Sequence, residues 1–158
     1  MLNKKTTKII VLFFTTIMLI SLILYQKYNN YPIPDCHSAV KIQYLDNNKN
    51  VNGSYLFSLI PNVNDSNYVY LLITGEMDYD NQKYFISRKF LINYKKQDEK
   101  IFARVKDIAI APSDQLNNKI SLLGVPQLNQ VFLVEIKKLS DNYYIFEENL
   151  TPLFICAI

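Results

Sequence analysis

The residues that could do chemistry are few, and two cysteines and one histidine come first. Cys36 and Cys156 are the only cysteines, and His37 is the only histidine. Two cysteines can form a disulfide, hold a metal or act as a redox pair, but the last two uses favour the short C-x-x-C spacing that this sequence lacks. A lone histidine cannot make a metal site, and no serine or cysteine lies in a recognisable triad setting. His37 is therefore predicted to be a surface residue, with a pH-responsive role between pH 5 and 8 as the alternative.

The acidic residues form no pattern that indicates catalysis. Asp78 and Asp80 lie in a predicted turn. Glu147 and Glu148 are adjacent at the end of a predicted strand, where neighbouring side chains face opposite ways. The chain has three glycines, no phosphate-binding loop and no H-E-x-x-H or EF-hand spacing. We expect no enzyme activity, no catalytic residue, no metal site and no cofactor.

A continuous apolar run lies near the amino terminus. Residues 9–25 contain no charged side chain, while Lys4, Lys5 and Lys8 precede the run and Lys27 follows it. As a helix the run reaches roughly 26 Å, and flanking tyrosine and lysine side chains can extend it across a bilayer. A cleaved signal peptide is the alternative, but no small-x-small cleavage site follows the run. We expect an uncleaved signal anchor with a cytoplasmic tail, by the positive-inside rule, and export of the remaining chain.

The charge balance fits this division. The chain has 17 Lys and Arg against 14 Asp and Glu, and three of its lysines precede the apolar run, which leaves 17 − 3 = 14 basic and 14 acidic residues after it. Nucleic-acid binding needs a positive surplus that this part lacks, so no direct nucleic-acid binding is expected. In an oxidising compartment, Cys36 and Cys156 are expected to pair in a disulfide that encloses nearly the whole exported domain.

Alternating apolar and polar residues predict strands over most of the chain. The predicted organisation is a tail at 1–8, the anchor at 9–25, a linker with two prolines at 26–35 and one domain at 36–158. The domain contains eight strand-like segments joined mostly by short turns. We expect a mainly β fold, an antiparallel meander that packs as a sandwich or, in preference, curls into a barrel or half-barrel of lipocalin-like shape.

Three local features interrupt this pattern. The apolar parity changes within 101–110, which predicts a bulge near Lys106 and Asp107. Arg88 interrupts an otherwise apolar strand face. Segment 113–126 has helical spacing, a candidate cap at its first residue and stop signals at its end, so it predicts one short helix.

Aromatic residues are abundant. The chain has 12 tyrosines and nine phenylalanines but no tryptophan. Filling the core explains most of them. The alternative is a cavity lined by apolar rings with hydroxyl tips, suited to a small amphipathic ligand and completed by another chain.

The whole layout resembles a known family. A lysine-bearing tail, one anchor, the entry "YPIPDC", the segment "APSDQLNNKISLLGVPQL" and the ending "PLFICAI" look like the FidL-like membrane proteins of enterobacteria. Within that group the chain is most similar to the F regulators of the Myf and Psa fimbriae. The resemblance lies in the order of these segments along the chain, with no single diagnostic motif, and it covers essentially the whole chain.

The resemblance implies a regulatory role in the bacterial inner membrane. Such proteins are similar to the ToxS type of accessory protein, which acts on the periplasmic part of a ToxR-like activator with a cytoplasmic winged-helix domain. The related pairs build a shared β-barrel-like unit, which in some cases binds bile salts. Only the cysteine positions, Cys36 and Cys156, carry over from the family.

A physical reason for pairing exists without the family, because an open sheet leaves an unpaired edge that strand addition by a partner can cover. The alternatives are a periplasmic module that binds a lipid or bile salt alone, and an exported structural or fimbrial subunit.

Overall fold

The computed structural model describes residues 4–28, 33–46, 49–116 and 125–158. The chain divides into two compact units, Met1–Pro32 and Ile33–Ile158. Parts of the predicted tail and linker, residues 1–3 and 29–32, lie outside the described residues.

The first unit contains one helix, α1, at Lys4–Tyr28. Its large apolar side chains between residues 12 and 24 are exposed. Among the described residues, no helical segment combines the length and the hydropathy that a bilayer crossing requires. The membrane segment predicted at 9–25 gains no support from this finding and stays a prediction.

The second unit is an antiparallel β-barrel of eight strands, in which each strand pairs with the next along the chain and the last pairs with the first. The strands are β1 Cys36–Asp46, β2 Lys49–Pro61, β3 Tyr68–Tyr79, β4 Gln82–Gln97, β5 Lys100–Ile110, β6 Val131–Ser140, β7 Tyr143–Glu148 and β8 Thr151–Ala157. The expected mainly β antiparallel barrel is confirmed, and the sandwich and the half-barrel are not the observed forms.

The alternation of side chains builds the barrel core. On β2, Tyr55 and Phe57 are buried, whereas their neighbours Ser54 and Leu56 are exposed. Because successive side chains in a strand point to opposite faces, one face of each strand fills the interior. Phe90 on β4 is fully buried, and a side chain of this kind contributes about 1.5–3 kcal/mol relative to exposure.

The predicted bulge on β5 is confirmed. Leu91 of β4 pairs with Asp107, and its neighbour Ile92 pairs with Val105, so Lys106 is the extra residue. The bulge restores the inward direction for Ile108, which packs against the core. Ile110, two residues further along β5, pairs with Arg88 and is 48% exposed.

The short helix predicted at 113–126 lies mostly outside the described residues, since these exclude 117–124. Within the described part, Ser113 lies in a turn and residues 114–116 have no regular secondary structure. The candidate cap at Ser113 therefore does not begin a helix at that position.

Candidate functional site at the barrel seam

The barrel closes between β1 and β8 at one end only. His37 and Ala157 form a single residue pair between these strands, whereas β1 pairs with β2 along its whole length. Within the described residues, no second pair joins β1 to β8. We call the facing edges of residues 38–45 and 151–155 the seam. Within the described residues, these two edges form no residue pair with each other.

A disulfide holds the closed end of the seam. Cys36 on β1 and Cys156 on β8 are bonded, with 5.6 Å between their Cα atoms, and the two residues are 0% and 1% exposed. The predicted disulfide is confirmed. Among the described residues there is no free cysteine and no cluster of side chains that could hold a metal ion. The cysteines therefore serve to join the first and last strands.

The histidine next to the disulfide lies on the outer surface. His37 is exposed, and its Nδ1 atom is 2.9 Å from Oγ of Ser58 on β2. The tautomer of the ring decides which of the two groups donates. The predicted surface position is confirmed, and the pH-responsive role stays a prediction.

Apolar side chains flank the seam on both faces of the sheet. On the inner face, Val40 and Ile42 of β1 are half-buried and pack against the core. Phe154 of β8 stacks on Phe146, with ring centroids 4.6 Å apart. On the outer face, Ile155 is 51% exposed. An added segment would therefore meet apolar surface inside and outside the barrel wall.

Several tyrosines pack against the barrel core. Tyr44 on β1, Tyr79 on β3 and Tyr84 on β4 are half-buried. Tyr55 is buried and lies over Gly53, where a Cβ atom would come within 2.3 Å of the tyrosine hydroxyl. Burial, with the nearby Tyr44 as a smaller cause, raises the pKa of Tyr55 to about 12. The Tyr55 hydroxyl thus stays protonated at physiological pH, and the Tyr84 hydroxyl donates to Gln82 Oε1 over 2.7 Å.

A buried ion pair lies away from the seam. The sequence pattern indicated one of its residues, Arg88, but not the other, Asp114. Arg88 points inward from β4, as its parity indicates, and its Nε and Nη2 atoms donate to Asp114 over 2.9 and 3.2 Å. The backbone N–H groups of Ser87 and Leu116 donate to the same carboxylate. The Asp114 side chain is 0% exposed. An arginine at an inward position needs a buried acid, and this was the available signal for Asp114.

The electrostatics of Asp114 follow from these donors. Burial by itself raises the pKa of the carboxyl group, but the hydrogen bonds from Arg88, Ser87 and Leu116 and the positive charge of Arg88 together outweigh it. The pKa of Asp114 is therefore held below its ordinary value.

The ion pair fixes the chain that follows β5. The Gln115 N–H donates to the Phe85 carbonyl over 2.8 Å, and the Phe85 N–H donates to Gln115 Oε1 over 3.0 Å. Leu116 is fully buried in the core. Residues 111–116 therefore continue the hydrogen bonding to β4 beyond the end of β5. The β4 edge differs from the seam in having these partners.

The acidic pairs considered for chemistry lie apart from any site. Asp80 binds Lys49 between two hairpin ends, at 2.7 Å. Glu147 binds Lys137 on the outer wall. Both are surface ion pairs, which contribute little to stability and indicate no acid–base couple.

Comparison of the chain with protein-family models, with curated proteins and with solved structures finds no match. The interpretation of the seam therefore rests on its own geometry.

Proposed function

We propose that this protein is a non-enzymatic accessory regulator. In this proposal its β-barrel binds the periplasmic domain of a ToxR-like winged-helix activator of fimbrial or adhesin genes, stabilises it and tunes its activity. The protein acts as one half of a heterodimer in the bacterial inner membrane, with its amino terminus in the cytoplasm. It requires no cofactor and does not contact nucleic acid.

The single observation that carries this proposal is the seam. Uncovered backbone N–H and C=O groups at a strand edge are a template for pairing with another chain, and natural proteins cover or blunt such edges. The apolar side chains on both faces, such as Val40 inside and Ile155 outside, add surface that gains from being covered. A protein partner supplies both backbone groups and apolar side chains, which a small molecule does not.

Support for the membrane location comes from the apolar run at 9–25 and the lysines before it. The apolar side chains of this helix are exposed, and the described residues 4–28 of its unit include no second element for them to pack against. If activator and accessory protein share one membrane, their effective concentration is high, so a weak interface is sufficient.

Deletion of the gene tests the proposal directly. We expect a lower amount of the activator protein and a lower level of its target transcripts, with both restored by the wild-type gene. The activator is identified as the product of a neighbouring reading frame that has a winged-helix domain and one membrane segment. Unchanged activator and transcript levels would contradict the regulatory role.

A matched pair of surface variants tests the contribution of the seam. Ile155→Lys changes an exposed apolar side chain beside the seam, and Phe102→Lys changes a similar one on β5, where the exposed fractions are 51% and 43%. We expect Ile155→Lys to lower the activator level while Phe102→Lys leaves it unchanged. Equal levels in the two variants would show that the seam is not the binding surface.

The half-buried tyrosines support a second candidate, a module that binds a lipid or bile-salt-like ligand alone. The rings of Tyr44, Tyr79 and Tyr84 pack partly against the barrel core, and tyrosine combines an apolar ring with a hydroxyl group. Titration with sodium cholate, followed by tyrosine fluorescence, separates the two functions. Saturable binding by the protein without the activator favours this second candidate, and binding only by the complex favours a barrel that both chains complete.

A further inference from the structure

The ladder between β4 and β5 ends before β4 does. Arg88 of β4 pairs with Ile110, the last residue of β5. Residues 111–116 then follow the β4 edge without forming a strand, and we call them the strap. Their attachment to β4 therefore depends on individual contacts and not on a regular ladder.

The strap binds the N–H and C=O groups of two β4 residues, Phe85 and Ser87. The Ala111 N–H donates to the Ser87 carbonyl over 3.0 Å, and the Ser87 N–H donates to Oδ2 of Asp114 over 3.1 Å. Gln115 binds Phe85 in the same two ways, through its own N–H and through Oε1. Both β4 N–H groups therefore depend on strap side chains for their acceptors.

Polar contacts provide much of this attachment. Ser113 and Gln115 of the strap are exposed, whereas Asp114 and Leu116 are buried. Asp114 accepts two hydrogen bonds from the Arg88 guanidinium and one from the Leu116 N–H. Segments with few buried apolar contacts are those that open at a lower free energy than the whole domain. The strap has this composition, and a charge pair lies at its centre.

The chain just before β6 is attached separately. The Asn129 N–H donates to the Val105 carbonyl, and the Val105 N–H donates to the Gln130 carbonyl, each over 3.0 Å. These bonds join β5 to the entrance of β6 and involve neither the strap nor β4. Release of the strap therefore leaves the attachment of β6 to β5 in place.

We propose that the strap, residues 111–116, opens from β4 while the barrel stays folded, and that the Arg88–Asp114 pair holds it closed. In the open state the backbone groups of Phe85 and Ser87 lose their partners, and Leu116 leaves the core. The closed state requires both charges, because each member of the pair is otherwise buried without its charge-assisted hydrogen bonds. This device belongs to the barrel itself and goes beyond the proposed function.

Amide hydrogen exchange, measured by NMR on the unaltered full chain in detergent, tests the opening. The Phe85 and Ser87 amides report on the strap, because its side chains are their acceptors. Alternate N–H groups of a strand point to opposite sides, so the Ile86 amide reports on the barrel, where Ile86 pairs with Gly75 of β3. We expect the two strap-bound amides to exchange roughly tenfold or more faster than the Ile86 amide, with a weaker dependence on urea, since a local opening exposes little surface.

The same rate and the same urea dependence for all three amides would overturn the proposal. Such a result would show that the strap leaves β4 only when the whole barrel unfolds.

Two strap variants test the role of the ion pair. Asp114→Asn removes the buried charge, whereas Ser113→Ala changes the neighbouring exposed side chain. We expect Asp114→Asn to speed up exchange of the Phe85 and Ser87 amides by roughly tenfold or more, with their weak urea dependence retained. Ser113→Ala should leave both rates unchanged.

Three results would contradict the proposal at this step. Unchanged rates in Asp114→Asn, or an equal increase in both variants, would show that the ion pair does not hold the strap closed. Failure of Asp114→Asn to fold would show that the strap cannot be separated from the barrel, because loss of a separable strap leaves the barrel folded.

Discussion

The disulfide is predicted to carry a large part of the stability of the barrel. Replacing Cys36 or Cys156 with Ser opens a loop between residues 120 positions apart, and the chain-entropy model assigns about 5 kcal/mol to a closed loop of this length. Each new hydroxyl also lies in a fully buried position, which adds about 1–3 kcal/mol if it finds no partner. Because a domain of this size typically has a stability of about 5–15 kcal/mol, the variants are expected to be marginally folded.

Urea unfolding followed by far-ultraviolet circular dichroism measures this loss. The two single variants are expected to unfold at a similar lower urea concentration, because each change breaks the same bond. The double variant should unfold at a lower concentration still, because it buries two hydroxyl groups. Cys36→Ala separates the loss of the bond from the burial of a hydroxyl. Ile158→Ser, at an exposed position of the same barrel end, is the matched control and should unfold like the wild type.

Two results would refute this reasoning. A loss below about 1 kcal/mol in the double variant would show that loop closure is not the main contribution. Labelling of both thiols by an alkylating reagent in the native protein, without reductant, would show that the bond is absent.

Four further predictions concern single residues. Asp114→Asn leaves Arg88 without a buried counter-charge and should lower the free energy of unfolding in urea by about 3–5 kcal/mol. The control, Asp141→Asn, changes a fully exposed carboxylate and should have no measurable effect. Equal losses of stability in the two variants would contradict the importance of the buried pair. The pKa of Asp114 is lowered on folding. Its contribution to the free energy of unfolding is therefore complete above the ordinary carboxyl pKa and is lost as the pH falls through the lowered pKa. Below about pH 4, the wild type should lose stability more steeply than the Asn variant. Gly75→Ala places a Cβ atom near a β2 carbonyl oxygen and should cost about 1–3 kcal/mol, and an unchanged melting temperature would show that β2 and β3 can move apart. Leu150→Gly removes a leucine from a left-handed backbone conformation, at a φ of 65°, and should raise the stability by about 1 kcal/mol; a loss would show that this turn is not strained.

Local patterns were sufficient to predict most of the barrel wall. The strands follow from alternation, and the parity change in 101–110 predicted the bulge at Lys106 because a bulge is the local way to reverse parity. The disulfide followed from the presence of two cysteines in a chain expected to be exported. In each case the information lies within a few residues or in the residue type itself.

The buried ion pair could not be predicted in the same way. Arg88 signalled that an acid was needed, but many acids were available, and Asp114 lay in a segment interpreted as a helix. The choice depends on where β5 ends and on how the chain then returns along β4. Such information is tertiary, because it requires the register of two strands and the path of the connection between them.

The openness of the seam is likewise a result of strand lengths and register. β7 and β8 occupy Tyr143–Glu148 and Thr151–Ala157, whereas β4 occupies Gln82–Gln97. β8 has seven residues, yet among the described residues only Ala157 pairs with β1, so the strand pairing closes the barrel at one end. The sequence shows that these segments are short, but only their relative position around the barrel shows that β1 loses its neighbour after His37.

On the proposed function, folding and binding place opposite demands on the contact between β1 and β8. A barrel closed by a long β1–β8 ladder would have to break that ladder to admit a partner strand, at about 0.5–1.5 kcal/mol for each hydrogen bond lost. In this barrel one residue pair and the Cys36–Cys156 bond provide the closure. Because the bond stabilises chiefly by restricting the unfolded chain, it leaves the backbone groups of β1 uncommitted. On the proposed function, a partner at the seam would therefore not have to break a β1–β8 ladder, and the Cys36–Cys156 bond would keep the barrel closed.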